Sequence, residues 1–406
     1  MPGTPPVTIQ HPGRLTRQLL VLGLSLLLGG AWTWSLPCLP CQAAPPSPSN
    51  TATALLNRPP AVGQTTRLYE GADNTGTPDT QGFLYVADSA SAIQTFSDGI
   101  TTLDTTASQA IHAGYFSQSP LKLDRETGYT LRFTTHLLSE SHTGPDRAGF
   151  SVIALSSDLQ GIELGFWEDE IWAQEGGLSP NLFTHAEGAA FDTTAGLIPY
   201  ELTILGNTYA LATGSTAILS GTLRDYTAFN GFPDPYETPN LVFLGDDTTS
   251  AQASIRISSV QVITDNAPAS RTVGAGHPLV INDLGIMDSD AQGSPVVVTL
   301  TVAHGTLTAT TTAPGGLGSG AIQGNGSASL TLTGAPGTIN STLLITGGLR
   351  YQSYVDFEGT ERLTIQVNDQ GHTSGSALTD SKTCMITITG TEKTQLFLPL
   401  ILKQHP

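Results

Sequence analysis

Two glutamates five positions apart, Glu170 and Glu175, enclose a tryptophan in Glu170-Ile171-Trp172-Ala173-Gln174-Glu175. A pair of carboxyls can do general acid–base work where a fold brings them together, so the two are candidates for that chemistry. In an extended strand, however, positions 170 and 175 differ in parity and face opposite sides unless a bulge intervenes. An exposed acidic turn is the alternative reading. Trp167 and Trp172 offer flat apolar rings on which a sugar ring can stack, or on which a core can close. Tyr226, Phe232 and Tyr236 lie in a Pro/Gly-rich stretch, where a loop can carry a binding rim. Asp246-Asp247 and Asp288-x-Asp290 gather the oxygen ligands that calcium prefers, and Asx turns account for them equally well.

Other chemistry is missing from the sequence. The nine histidines form no HxH or HExxH pair, and there is no G-x-S-x-G elbow, P-loop or dinucleotide fingerprint. The net charge of −18, with lysine only at 122, 382, 393 and 403, provides no basic track for nucleic acid. Charged residues make up only 12% of the chain, against roughly 25% in an average globular protein; Thr, Ser and Gly stand in their place and suit sheets and turns.

Arg14 and Arg17, an apolar run over 19–28 and small residues near Ala43 read as a secretory signal peptide over 1–43. A membrane anchor is the rival, but the run is shorter than the ~20 residues of a span, so no transmembrane anchor is expected after cleavage. Cys38 and Cys41 fall in the segment to be removed, which leaves Cys384 alternating with Ile386 and Ile388 as a buried thiol. Residues 44–64, rich in Pro, read as an extended linker.

The candidate residues hang on a strand pattern. Over 147–223 the chain alternates apolar and polar positions between turns: Gly149–Leu155, Gly161–Trp167, Ile171–Gln174, then Tyr200, Leu202 and Ile204 against Glu201 and Thr203, with a reversal at Gly206-Asn207. Strands of period two hide one row each, and a second sheet must cover it, which predicts a β-sandwich over 65–264. The phase slips between Ile257 and Val260, predicting a bulge near Ser258-Ser259. After Asp265-Asn266-Ala267-Pro268, a hinge with a turn-forming composition, the alternation resumes at Val296–Val302, Leu330, Leu363–Val367 and Cys384–Ile388, predicting a second sandwich over 267–390. The glycine-rich 315–326 segment predicts a long exposed loop. The fold class expected is all-β, with two β-sandwich domains.

The stretches YELTILGNTYALATGSTAILSGTL and NLVFLGDDTTSAQASIRISSVQV resemble the closing hairpins of concanavalin A-like or laminin-G-like sandwiches. GIELGFWEDEIWAQE with LRDY and FLGDDTTSA resembles a bacterial surface module of the choice-of-anchor kind, Y-like, over about 67–263; this resemblance brings no catalytic residues with it. DLGIMDSDAQGSPVVVTLTVAHGTLT, GLRYQ and LTIQVNDQG resemble one cadherin-like, immunoglobulin-fold repeat of bacterial adhesion proteins, which implies an association with calcium. The 170–175 segment is similar to the E-x-D-x-x-E pattern of sandwich-fold glucanases, with Trp172 where the middle Asp belongs. The tail, 391–406, with its Leu398-Pro399-Leu400, is similar to LPL-type endings of secreted bacterial proteins; a surface attachment or an edge strand would suit it. Together these imply a secreted or cell-surface bacterial adhesion protein that binds glycans or other envelope polymers without catalysis. The alternatives are a polysaccharide hydrolase acting through Glu170 and Glu175, and a purely structural surface-layer or matrix component.

Overall fold

The computed structural model describes residues 59–117, 121–231, 234–288, 293–371 and 376–390. The signal-peptide reading, most of the Pro-rich linker, Phe232, Asp290 and the LPL-type tail lie outside them. Among the described residues no helix is long and apolar enough to cross a membrane.

The expectation of an all-β fold is met. In the first half a seven-stranded sheet has the order β10-β9-β8-β7-β14-β5-β2. Its strands are β2 (Phe83–Ala87), β5 (Ala113–Ser117), β7 (Ser151–Leu155), β8 (Gly161–Phe166), β9 (Glu170–Gln174), β10 (His185–Ala190) and β14 (Leu241–Asp246). The facing sheet runs through β6 (Tyr129–His142), β11 (Ile198–Leu205), β12 (Thr208–Thr213), β13 (Thr216–Thr222) and β15 (Ala251–Thr264). Every second residue of both sheets enters one core: Leu131 and Phe133 from β6, Val152 and Ala154 from β7, Ile162 and Leu164 from β8, Tyr200, Leu202 and Ile204 from β11. Phe133 stacks on Tyr200 at 5.2 Å and meets Phe166 edge-on at 6.1 Å. Burying each such side chain contributes roughly 1.5–3 kcal/mol. In β15 the pairing with β6 steps from Ile257↔Thr135 to Ser259↔Thr134, so Ser258 is the extra residue, and Ile257 and Val260 both reach the core.

The second half packs a six-stranded sheet on a three-stranded one around Val298, Leu300, Leu332, Tyr351, Ile365 and Ile386. Cys384 lies in this core. Two features differ from the expectation. The 315–326 segment contains a short 3-10 turn, Ser319–Ala321, and a two-residue strand, Ile322–Gln323. Residues 336–344 form a helix, α1 (Pro336–Leu344), within a domain expected to be all-β; Pro336 opens it and Ile339, Leu343 and Leu344 are buried.

The halves are joined by more than a hinge. A strand that begins inside the Pro-rich stretch, β1 (Ala61–Glu70), pairs with β15 and also with β18 (Leu284–Met287) of the second half. The outer row of β6 and β11, expected to face water, is buried under α1: Arg132 pairs with Glu201 at 3.3 Å, and Asn340 Nδ2 donates to Glu201 Oε1 at 2.9 Å. Burial holds the Glu201 carboxyl above its usual range, with Arg132 opposing the rise.

Candidate functional site

On the seven-stranded sheet, the face turned away from the core carries Ser151 and Ile153 of β7, Glu163 and Gly165 of β8, Trp172 and Gln174 of β9 and Phe243 and Gly245 of β14. Two loops close over part of it. Tyr226 and Tyr236 from one and Phe183 from the other pack with Ile153, Leu155 and Phe243 in a second apolar cluster. Between loops and sheet lies a cavity of about 190 Å³, lined among others by His112, Arg147, Ser151, Glu163, Gln174, Phe183, Phe229, Tyr236 and Asp247.

Glu163 is the centre of this site and is 2% exposed. Its Oε2 accepts from the Tyr236 hydroxyl at 2.6 Å and its Oε1 from the Ser151 hydroxyl at 3.2 Å. The Tyr226 hydroxyl accepts from the Glu163 backbone N–H at 3.1 Å and donates to the Gln174 carbonyl at 2.9 Å, which locks the two strands and the loop together. Burial pushes the Glu163 carboxyl well above the usual range, and the charge of Asp247 pushes it further. The Asp247 carboxyl, half-buried on the cavity wall, is raised by loss of solvation, against a hydrogen bond from Ser151 and the pull of His112 and Arg147. Two carboxyls that share a serine hydroxyl in a recess favour retention of a proton between them.

The cationic groups are held by neighbours. Arg147 Nη1 donates to the Phe183 carbonyl at 2.6 Å, and His112 Nδ1 lies 2.6 Å from Asp88 Oδ2. Gln174 is 4% exposed; its Nε2 donates to the Asp146 carbonyl at 3.4 Å, and its Oε1 is buried without a hydrogen-bond partner among the described residues.

The structure disperses several of the sequence candidates. Glu170 pairs with His185 at 3.3 Å and Glu175, just past the end of β9, with Arg224 at 3.4 Å, so each carboxylate has its own partner, and over 171–173 β9 keeps an unshifted register with β8. Trp172 is 0% exposed, its ring packed against Gly165 and stacked on His185 at 4.4 Å; as a sugar platform this residue is corrected to a packing role. Trp167 is half-buried, stacks on His142 at 4.3 Å and donates from Nε1 to the Arg147 carbonyl at 2.7 Å. Tyr226 is likewise buried, as a brace rather than a rim, whereas Tyr236 reaches the cavity. Asp246 and Asp247 alternate along the chain and part: Asp247 lines the cavity, while Asp246 turns inward to accept from the Thr105 hydroxyl at 2.6 Å. Asp288 follows β18, far along the chain from the cavity. Among the described residues, no group of three or more His, Cys, Asp or Glu side chains is arranged to hold a metal ion.

Sequence reasoning passed over Glu163, Ser151 and Gln174. The signal was present in Gly161-Ile162-Glu163-Leu164-Gly165-Phe166, where a lone acid interrupts an otherwise apolar strand.

No family model matches this chain. No curated protein sequence matches it either. Solved structures similar to it include a carbohydrate esterase from a Shiga toxin-encoding bacteriophage, with 14% identity, TM-score 0.36, and coverage of 50% of this chain and 100% of the esterase. A transglycosylase in complex with NAG shows 13% identity and TM-score 0.32, over 52% of this chain and 90% of its own. The exoplasmic/lumenal domain of VIP36, in a form bound to calcium and mannose, shows 10% identity and TM-score 0.30, over 49% and 88%.

Proposed function

We propose that this is a secreted or cell-surface bacterial protein of the adhesion type, which binds a glycan or other envelope polymer without turning it over, by seating one unit of it in the cavity over the seven-stranded sheet. One observation carries the reading: the cavity wall joins the rings of Phe183, Phe229 and Tyr236 to polar groups converging from separate strands and loops, among them Glu163, Gln174 and Asp247. Rings supply apolar contact and the converging polar groups supply orientation, the usual division of labour in small-molecule sites. At about 190 Å³ the cavity lies below the roughly 300 Å³ at which drug-sized sites begin, which suits a single terminal unit better than a chain threaded through.

A hydrolase remains the second reading, and here a specific observation favours Glu163 over the Glu170/Glu175 pair: a carboxyl held above its usual range beside a second one, in a recess, is a candidate proton donor. One experiment separates the two. The full chain is applied to a glycan array and to isolated bacterial envelopes, and the same polymers are assayed for new reducing ends. Retention without turnover is expected. New reducing ends that disappear in Glu163→Gln would favour the hydrolase, and neither retention nor turnover would remove both readings.

A further inference from the structure

The polarity of this cavity is lopsided. Three residues that carry acceptors, from three separate elements, line it: Glu163 on β8, Gln174 on β9 and Asp247 after β14. Gln174 is the informative one. Its amide nitrogen is turned to the Asp146 carbonyl, so the amide oxygen is left buried and unpartnered, a state that is costly unless a ligand brings a donor. Of the nearby donors, Arg147 Nη1 is turned to the Asp146 and Phe183 carbonyls, and His112 Nδ1 lies against Asp88. An arriving cation would displace the proton held between Glu163 and Asp247, after which the two carboxylates outweigh Arg147 by one negative charge. The aromatic rings on the same wall also favour a cation over an anion, because a ring face is electronegative.

We propose that the cavity seats the primary ammonium group of an amino sugar, with its N–H donors directed to Glu163, Asp247 and Gln174 Oε1. The inference rests on the glycan-binding reading and narrows it to one class of ligand. An ammonium group offers three donors and no acceptor, which matches the carboxyl groups of Glu163 and Asp247 and the Gln174 amide oxygen once the shared proton is displaced. A sugar hydroxyl brings one donor, and N-acetylation leaves one donor and no charge. A uronate or phosphate would set like charge against Asp247 and Glu163. Ser151 contributes by fixing the Glu163 carboxyl through its hydroxyl, and Tyr236 by holding the other oxygen.

The test is a calorimetric titration of the full chain at neutral pH with the methyl glycosides of glucosamine, N-acetylglucosamine, glucose and glucuronic acid, together with lysine methyl ester. The glucosaminide should bind about tenfold or more tightly than the acetylated and neutral sugars, the scale of one charge-assisted hydrogen bond, and the glucuronide should not bind. Gln174→Leu and Asp247→Asn should each weaken the glucosaminide by about tenfold with the melting temperature kept near that of the wild type. If Gln174→Leu does not fold, Asp247→Asn, on the half-open wall, carries the comparison. Equal affinity for glucosaminide and glucoside, affinity unchanged in the variants, or lysine ester binding as well as the sugar would each overturn the inference. An envelope polymer that the protein retains, and that glucosaminide does not displace, would overturn the amine while leaving polymer binding intact. Loss of both signals would remove both.

Discussion

Replacing Asp246 by Asn should abolish a large part of the dependence of stability on pH. Asp246 is 2% exposed, and burial raises its carboxyl from an ordinary value of 3.8 to about 9, with Asp247 and Glu140 adding to the rise. The folded state therefore holds a proton that the unfolded chain releases between about pH 4 and pH 9. Stability attributable to this group is complete below pH 4 and drains away as pH rises through that window, at up to about 1.4 kcal/mol per pH unit. The full span of about five units sets a ceiling near 7 kcal/mol, and structural relaxation around an ionised carboxylate should reduce the observed loss to several kcal/mol. Asp246 accepts from the Thr105 hydroxyl at 2.6 Å on one oxygen and from the Thr248 N–H at 3.2 Å on the other; Asn keeps an oxygen for one of them, turns its amide nitrogen to the other position, and cannot ionise. Urea melts at pH 5, 7 and 9 measure the effect. At pH 5, about one unit into the window, the variant should gain about 1.5 kcal/mol from the missing ionisation against about 1 kcal/mol for one altered neutral hydrogen bond, and at pH 9 it should be clearly the more stable of the two. Glu140, Glu163 and Glu201 are also raised, but they are present in both proteins and largely cancel in the difference. A gap between variant and wild type that is the same at all three pH values would refute the reasoning.

Three further outcomes follow from packing. Arg132→Leu leaves Glu201 buried beneath α1 without its cation and should cost about 3–5 kcal/mol in denaturant melts, whereas the double change Arg132→Leu with Glu201→Leu should recover much of it. At Gly149 a Cβ would come within 2.2 Å of the Gln252 backbone carbon, so Gly149→Ala should lower the melting temperature clearly, while Gly144→Ala, where nothing lies within 4 Å, should be limited to the strain of its positive φ. Cys384 is buried with its thiol pushed up by burial, so a thiol reagent at neutral pH should label it only after denaturant is added; immediate labelling would show that the second core is open there.

The strands were legible because period two survives in the residue types. Tyr200, Leu202 and Ile204 alternate in sequence and in the core, and the phase slip near Ser258 becomes the extra residue in β15. What could not be read concerns the second face of each sheet. Arg132 and Glu201 look like solvent-facing positions, and only the docking of α1 makes them a buried pair. The helix itself is short, rich in Thr, Ser and Gly, and held by packing rather than by propensity, so its sequence carries no strong helical signature. The candidate site was obscured for a related reason. Parity puts Ser151, Glu163 and Gln174 on alternate rows within their own strands, but the register that sets them side by side, Ser151↔Gly165 and Gly165↔Trp172, is a long-range fact. Glu170 and Glu175 drew notice by spacing along the chain, which in a sheet is a poor guide to proximity.

The central claim, that the cavity over the seven-stranded sheet is where the polymer is held, is tested most directly by plugging it. Thr249 lines the cavity yet is exposed, so Thr249→Trp puts a bulky ring at the mouth without disturbing the core. Retention of the full chain on bacterial envelopes and on arrayed glycans, measured for wild type and Thr249→Trp with equal melting temperatures, should fall to background in the variant. Undiminished retention by the plugged protein would contradict the account and move the binding surface elsewhere.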